Sequence, residues 1–418
     1  MRETKKTGLY IHIPFCVKKC NYCAFLSFNA ETSPRREYAD ALVSEIALRG
    51  EELGHPVIDT VYVGGGTPSV LDISQMRDIM HAVGKSFSVK EGAEITIEAN
   101  PATLGRKDGV TLAKLQAYKY MGFNRLSMGV QSMDNDRLHC LGRIHTAENV
   151  ARDMELIRRK GFDNVNLDLM FSIPGETTRD ALDDLRKVLE LAPEHISCYS
   201  LQIEEGTPFG DMAAAGELTE VPDEEDRETY HEICRVLREA GYEHYEISNF
   251  ARKGAEDPDG PSPYRSRHNS LYWDMSDYIG VGLGASGFTG GRRYKNTSDI
   301  EEYINALTVP PIHEGARVKV PLEEDHLNNA FDNISEAVFT GLRRREGIRY
   351  ADAVDAYMRR AGGSPAAGPK EEFWRIFSEA KEEAEDYARH GLLIIDDEGL
   401  RLTEQGIDIS NRIMSLFV

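Results

Sequence analysis

Three cysteines, Cys16, Cys20 and Cys23, close an apolar stretch that opens Gly8-Leu9-Tyr10-Ile11-His12-Ile13-Pro14-Phe15. Intervals of three and two residues bring three thiolates round one small centre. Three is the wrong number for a closed site, since structural zinc and ordinary iron–sulfur clusters usually take four ligands. A [4Fe–4S] cluster with three protein ligands keeps one iron open, and an open iron can bind and reduce a small molecule. The bland alternatives are a zinc site or a chance grouping in a loop. Zinc would want a fourth soft ligand; the next cysteine is Cys140, which leaves His12 as the only close candidate.

Further along, Gly64-Gly65-Gly66-Thr67-Pro68 offers exposed backbone N–H and C=O groups and a close approach to a ligand, although a glycine-rich strand–helix turn is common by itself. Glu98, in Ile97-Glu98-Ala99-Asn100-Pro101, reads as a solvated strand-end acid or as a partner for a cationic ligand. Ser127-Met128-Gly129-Val130-Gln131-Ser132 is followed by Leu141-Gly142-Arg143-Ile144-His145, whose arginine can grip a carboxylate bidentately. Asp168 lies in an otherwise apolar run, which is costly unless it is paired or bound. His268-Asn269-Ser270-Leu271-Tyr272-Trp273 places a histidine beside two flat aromatic faces. Out of context such a histidine is more often part of a core.

The elements that must position these residues alternate. Strands are expected near Leu9–Ile13, Thr60–Val63, Glu94–Glu98, Arg125–Met128, Val165–Met170 and Ile196–Leu201. Helices are expected near Arg35–Leu53, Ile73–Val83, Val110–Met121, Ala147–Lys160, Arg179–Leu191 and Glu224–Ala240. Six βα units in succession imply an α/β fold with a parallel sheet under helices, because parallel strands need crossovers. Thr177 is placed to cap the helix that follows it. Lys253–Tyr264, rich in Gly, Pro and Asp, reads as a loop or insertion. From about Leu322 helices are expected near His326–Arg344, Ala351–Arg359 and Glu371–His390. They lead into a hairpin turning at Asp397-Glu398-Gly399, a winged-helix-like ending. The expected division is a core barrel at 1–240, a connecting region at 241–321 and a smaller helical domain at 322–418.

Net charge is −21, with 49 basic against 70 acidic residues, which argues against a nucleic-acid or anionic-membrane partner bound through bulk charge. Six cysteines in 418 residues are too few for a disulfide framework, and Cys140, Cys198 and Cys234 lie in apolar patterns that suit buried thiols. Met1-Arg2-Glu3-Thr4-Lys5-Lys6 does not open a signal peptide, and no apolar run approaches the roughly 18 residues of a membrane span. A cytoplasmic protein is expected.

Cys-x3-Cys-x2-Cys resembles the signature of the radical S-adenosylmethionine (SAM) superfamily, whose open iron chelates the amino and carboxylate groups of SAM. The resemblance implies a partial (β/α)6, TIM-like barrel with its chemistry at the C-terminal strand ends. The order Tyr10, cysteine triplet, Gly-Gly-Gly-Thr-Pro, Glu98, Gln131, Arg143, Asp168 narrows it to the oxygen-independent coproporphyrinogen III oxidases and their relatives, over most of the chain. That implies a cluster on Cys16, Cys20 and Cys23, and SAM on Tyr10, Gly65, Gly66, Thr67, Glu98, Gln131, Arg143 and Asp168. The oxidase pattern has a further cysteine two positions after the triplet, where this chain has Phe25, and a long N-terminal arm, for which Cys16 leaves no room. His-Asn-x-x-Tyr-Trp instead resembles the motif of HemW-type haem chaperones. It implies haem held through His268 as iron ligand, with Tyr272 and Trp273 as flat partners. The branch implies a carrier that delivers haem to acceptor haemoproteins, those of the respiratory chain included. The alternative is anaerobic oxidation of coproporphyrinogen III by radical SAM chemistry. One departure is Ser286, which stands in Gly284-Ala285-Ser286-Gly287 where family members often have histidine.

Overall fold

The computed structural model describes residues 6–308 and 318–418; Met1–Lys5, read above as leading into the first strand, lie outside them. The six expected strands are present as β1 (Thr7–Ile13), β2 (Val57–Gly65), β3 (Ser88–Ala99), β4 (Arg125–Gln131), β5 (Val165–Phe171) and β6 (His195–Ser200). Each is followed by a crossover helix: α1 (Arg35–Glu52), α2 (Ile73–Ser86), α3 (Asp108–Tyr120), α4 (Ala147–Arg159), α5 (Thr178–Glu190) and α6 (Asp223–Glu239). Side chains start two of them as expected of capping boxes: Asp72 accepts from the Gln75 N–H before α2, and Thr177 from the Asp180 N–H before α5.

The strands pair in parallel from β1 to β6, forming the open barrel of the radical SAM resemblance. Period-two alternation sorts the side chains. Arg125, Ser127, Gly129 and Gln131 of β4 line the lumen, while Leu126, Met128 and Val130 between them are fully buried. The same holds in β5, where Asn166, Asp168 and Met170 face inward and Val165, Leu167 and Leu169 pack outward. Polar lumen positions in otherwise apolar strands are what place the chemistry inside.

The stretch 241–321 does more than connect. It supplies β7 (Tyr242–Glu246), β8 (Asn249–Arg252), β9 (Asp277–Val281), β10 (Ser286–Thr289) and β11 (Arg292–Asn296), and β12 (Leu322–Leu327) follows. The sheet runs β12-β11-β10-β9-β1-β2-β3-β4-β5-β6-β8-β7, so β9 is a seventh parallel strand on the far side of β1. Between β8 and β9 a short helix, α7 (Arg267–Trp273), carries the His-Asn-x-x-Tyr-Trp motif. Glu45 on α1 ties this region to the barrel: its buried carboxylate accepts from the Gly282 N–H, the Asn296 amide and the Tyr303 hydroxyl.

The last segment holds α8 (Ala330–Gly341), α9 (Tyr350–Ala361) and a three-stranded antiparallel sheet, with Leu393–Ile395 and Gly399–Leu402 as the expected hairpin. Two expectations are corrected here. His326 and Leu327 are strand, not helix, because β12 pairs with β11 and Asn329 then caps α8 through the Phe331 and Asp332 N–H groups. The helix expected over Glu371–His390 breaks into Pro369–Ile376 and Lys381–Arg389, with Phe377 turned edge-on to Phe417 in the core.

Candidate functional site

A cavity of about 520 Å³ opens at the C-terminal ends of the barrel strands. Cys16, Cys20 and Cys23 line its mouth, all partly exposed. A two-residue parallel pairing of Phe15–Cys16 with Phe28–Asn29 closes the loop that carries them. Burial pushes the Cys16 and Cys23 thiols up. The Arg143 guanidinium donates to Cys20 Sγ at 3.5 Å, placing a cation beside a thiol. Among the described residues no three His, Cys, Asp or Glu side chains close on a single ion. His12, the one close candidate for a fourth zinc ligand, is bonded to Tyr10 Oη (2.9 Å) and lies under the Gly65 turn, away from the cavity.

Of the SAM residues the resemblance implied, Gly65, Gly66, Thr67, Glu98, Gln131, Arg143 and Asp168 share this cavity. Tyr10 does not line it; its ring stacks on Tyr62, and Tyr62 faces the lumen instead. The glycines are required by space: a Cβ on Gly66 would stand 2.8 Å from the Phe15 backbone N and O. Glu98 accepts from Tyr62 Oη (2.6 Å) and from the Gly65 N–H (3.0 Å). Burial raises its carboxyl to about 7 against the lowering effect of the Tyr62 bond, with Asp168 raising it further. Asp168, whose carboxyl burial also raises, accepts from the Asn166 amide at 2.7 Å. No arginine hydrogen-bonds to it among the described residues, but the charges of Arg125 and Arg143 oppose the rise. Gln131 has φ of +68° at a bulge between β4 and β5, a strained geometry for a non-glycine residue that aims its amide into the cavity, where Tyr199 Oη donates to it at 3.1 Å. Arg143 reaches in from the loop after β4 and donates to Asn100 Oδ1 and the Gly129 carbonyl. Phe25, where the oxidase pattern has cysteine, is 69% exposed at the mouth beside exposed Ile144.

The aromatic motif is placed differently. His268 is 1% exposed and both ring nitrogens are engaged: Nδ1 with Thr60 Oγ1 (2.7 Å), Nε2 with Tyr272 Oη (2.9 Å). Its ring stacks on Tyr62 at 5.1 Å, and burial lowers its pKa to about 3, so the imidazole is neutral. Trp273 lies under the Arg343 guanidinium, 4.5 Å from the ring centroid. Neither His268, Tyr272 nor Trp273 lines the cavity; Asn269 does. Sequence reading missed Tyr22, Asn100, Arg125 and Tyr199 as cavity residues. For Arg125 the signal was legible: a charged residue opening a strand otherwise read as buried.

The donor set suits a three-thiolate cluster with an open iron, and the cavity suits a ligand bearing both cationic and carboxylate groups. The family description "Radical SAM superfamily" matches residues 10–188. The chain is 32% identical to the haem chaperone HemW of Bacillus subtilis over 98% of both chains. It is 36% identical to the haem chaperone HemW of Escherichia coli over 69% of this chain and 73% of that one. Among solved structures the coproporphyrinogen III oxidase HemN of Escherichia coli superposes with a TM-score of 0.79 at 22% identity, covering 99% of this chain and 90% of that one, a likeness of fold.

Proposed function

The chain belongs to the HemW family of the radical SAM superfamily, and from that premise we propose that it is a haem chaperone, a cytoplasmic carrier that binds haem and hands it to acceptor haemoproteins. The observation that carries this reading is one cavity uniting the three thiols with Gly65, Glu98, Arg143 and Asp168, in a chain that matches a haem chaperone along 98% of its length. No helix among the described residues is long and apolar enough to cross a membrane.

In this reading Cys16, Cys20 and Cys23 hold a [4Fe–4S] cluster, with the Arg143 guanidinium donating to Cys20 Sγ. When bound, a cluster with one open iron chelates SAM and can supply an electron to its sulfonium. The chain's own residues orient that ligand. The Gly65–Gly66 backbone and the Glu98 carboxylate face its cationic groups, and the Arg143 fork faces its carboxylate. Glu98 makes binding pH-dependent. With its carboxyl at about 7 it is neutral below that pH and ionised above it, so affinity for cationic SAM falls as pH drops through 7, approaching about tenfold per unit. Equilibrium dialysis of SAM between pH 6 and 8 should show this slope, and Glu98→Gln should flatten it. An equal slope in both proteins would remove Glu98 from the site.

Haem is the cargo, and His268 is the proposed iron ligand. Its neutral imidazole is the right donor, but both nitrogens are occupied, so ligation through Nε2 requires the Tyr272 side chain to swing aside and give up its hydrogen bond. An anaerobic haem titration of cluster-reconstituted protein, followed by absorbance, tests this. Wild type should saturate near one haem per chain and His268→Ala should bind far more weakly. Tyr272→Phe keeps the flat ring and removes the competing hydroxyl, so it should bind about fivefold more tightly, the equivalent of about 1 kcal/mol. Non-saturating uptake by wild type would sink the carrier reading. Unchanged binding in His268→Ala would leave that histidine a core residue.

A further inference from the structure

Arg125 is the first residue of β4 and 2% exposed. Among the described residues its guanidinium takes part in no hydrogen bond, ion pair or ring contact, and its Nε is buried without a partner. The Glu98 and Asp168 carboxylates feel its charge but accept their hydrogen bonds from other groups, and a buried guanidinium that donates no hydrogen bond is costly. Arg143, inside the same lumen, by contrast donates to three partners, Cys20 Sγ, Asn100 Oδ1 and the Gly129 carbonyl.

Arg125 lies on the lumen side of β4, at the end opposite the cysteines, and lines the same cavity. The polar groups along that wall are committed to one another: Asn166 donates to Ser127 Oγ and Asp168, and Ser197 donates to Asn166. Glu98 is held by Tyr62 and Gly65. Asn269 is the other polar side chain of the cavity that stands out. It comes from α7, next to His268, and among the described residues its amide makes no hydrogen bond. Two uncommitted donor groups, one of them a fork matched to a planar anion, therefore face one enclosed space.

We propose that the floor of the barrel cavity is a carboxylate-binding subsite, in which Arg125 and Asn269 hold the acid group of a ligand reaching down from the cysteine end. The proposal rests on the reading of this barrel as the ligand cavity of a haem carrier. The ligand that supplies it is haem, through a propionate; the SAM carboxylate is met at the cysteine end by Arg143, so SAM serves as the control probe.

The test is binding by full-length, cluster-reconstituted protein under anaerobic conditions, with three probes: haem, haem dimethyl ester and SAM. The proteins are wild type, Arg125→Met, Arg125→Lys and Asn269→Ala. A charged hydrogen bond of this kind corresponds to about a tenfold change in affinity. If a propionate is held, wild type prefers haem to its dimethyl ester about tenfold, Arg125→Met erases the preference and Arg125→Lys keeps part of it. SAM affinity stays unchanged in Arg125→Met, because Arg143 takes the methionyl carboxylate; a loss of SAM affinity of about tenfold, with haem and its ester alike, overturns the haem assignment. Unchanged haem affinity in both Arg125→Met and Asn269→Ala overturns the subsite. Should Arg125→Met fail to fold, Asn269→Ala decides alone, since its side chain is part-exposed and uncommitted. Wild type that binds haem and its ester equally, with Arg125→Met unchanged for all probes, sinks the subsite and leaves the carrier intact; wild type that fails to bind haem sinks the carrier and the subsite with it.

Discussion

Cys20→Ser yields a chain that assembles no [4Fe–4S] cluster and binds no SAM. The cysteine loop has no spare ligand: Cys198 and Cys234 are buried in the barrel wall and its helix, and part-buried Cys140 ends the short helix Asn135–Cys140 with its thiol pushed up by burial. A serine hydroxyl is a harder, far weaker acid than a thiol and cannot replace a thiolate on iron. The loss also strands Arg143, which donates to Cys20 Sγ and is proposed to face the SAM carboxylate. Iron and sulfide content after anaerobic reconstitution, with the visible absorbance of the cluster, measures the first effect; dialysis with SAM measures the second. The melting temperature of the cluster-free chain should stay close to that of wild type, because all three thiols sit at the cavity mouth and not in the core. Wild-type iron loading in Cys20→Ser would refute the three-ligand assignment. Haem titration of the same variant separates the two cofactor sites, and haem uptake should survive.

Gly65→Ala should be a strongly damaging single-methyl change at the cavity. Gly65 ends β2 with φ of +107°, a region closed to L side chains, and an added Cβ would stand 2.4 Å from His12 Cε1. Its N–H also donates to Glu98, so any shift to relieve the clash loosens the carboxylate that faces SAM. Backbone strain and overpacking together cost about 2–6 kcal/mol, a large part of a domain's stability. Urea unfolding of the full chain reads that cost. Adding His12→Ala removes the steric part and leaves the backbone part, so the double variant should recover some stability but not all. A Gly65→Ala protein as stable as wild type, with unchanged SAM affinity, would mean the turn is not built as described.

Much of this protein was legible in its residues because the governing physics is local. Parallel strands buried on both faces read as short apolar runs and their crossovers as amphipathic helices, so β1 to β6 and α1 to α6 fall within a few residues of expectation. Cys16, Cys20 and Cys23 carry their chemistry in their spacing, and strand-end positions bring Gly65, Glu98 and Gln131 to one mouth, as a barrel must, while Asp168 faces the same lumen from mid-strand. Long-range pairing was not legible. Nothing local says that Asp277–Val281 will lie parallel to β1, or that Leu322–Leu327 will be drawn from helix into strand by an edge left open at β11. The tertiary structure alone decided which polar groups find partners. It turned Tyr10 out of the cavity onto His12, engaged both nitrogens of His268 with Thr60 and Tyr272, and left Arg125 Nε without a hydrogen bond. The reason is physical: a residue's type states what it can bond, but burial and the neighbours that arrive from distant strands determine whether that capacity is spent inside the fold or kept for a ligand.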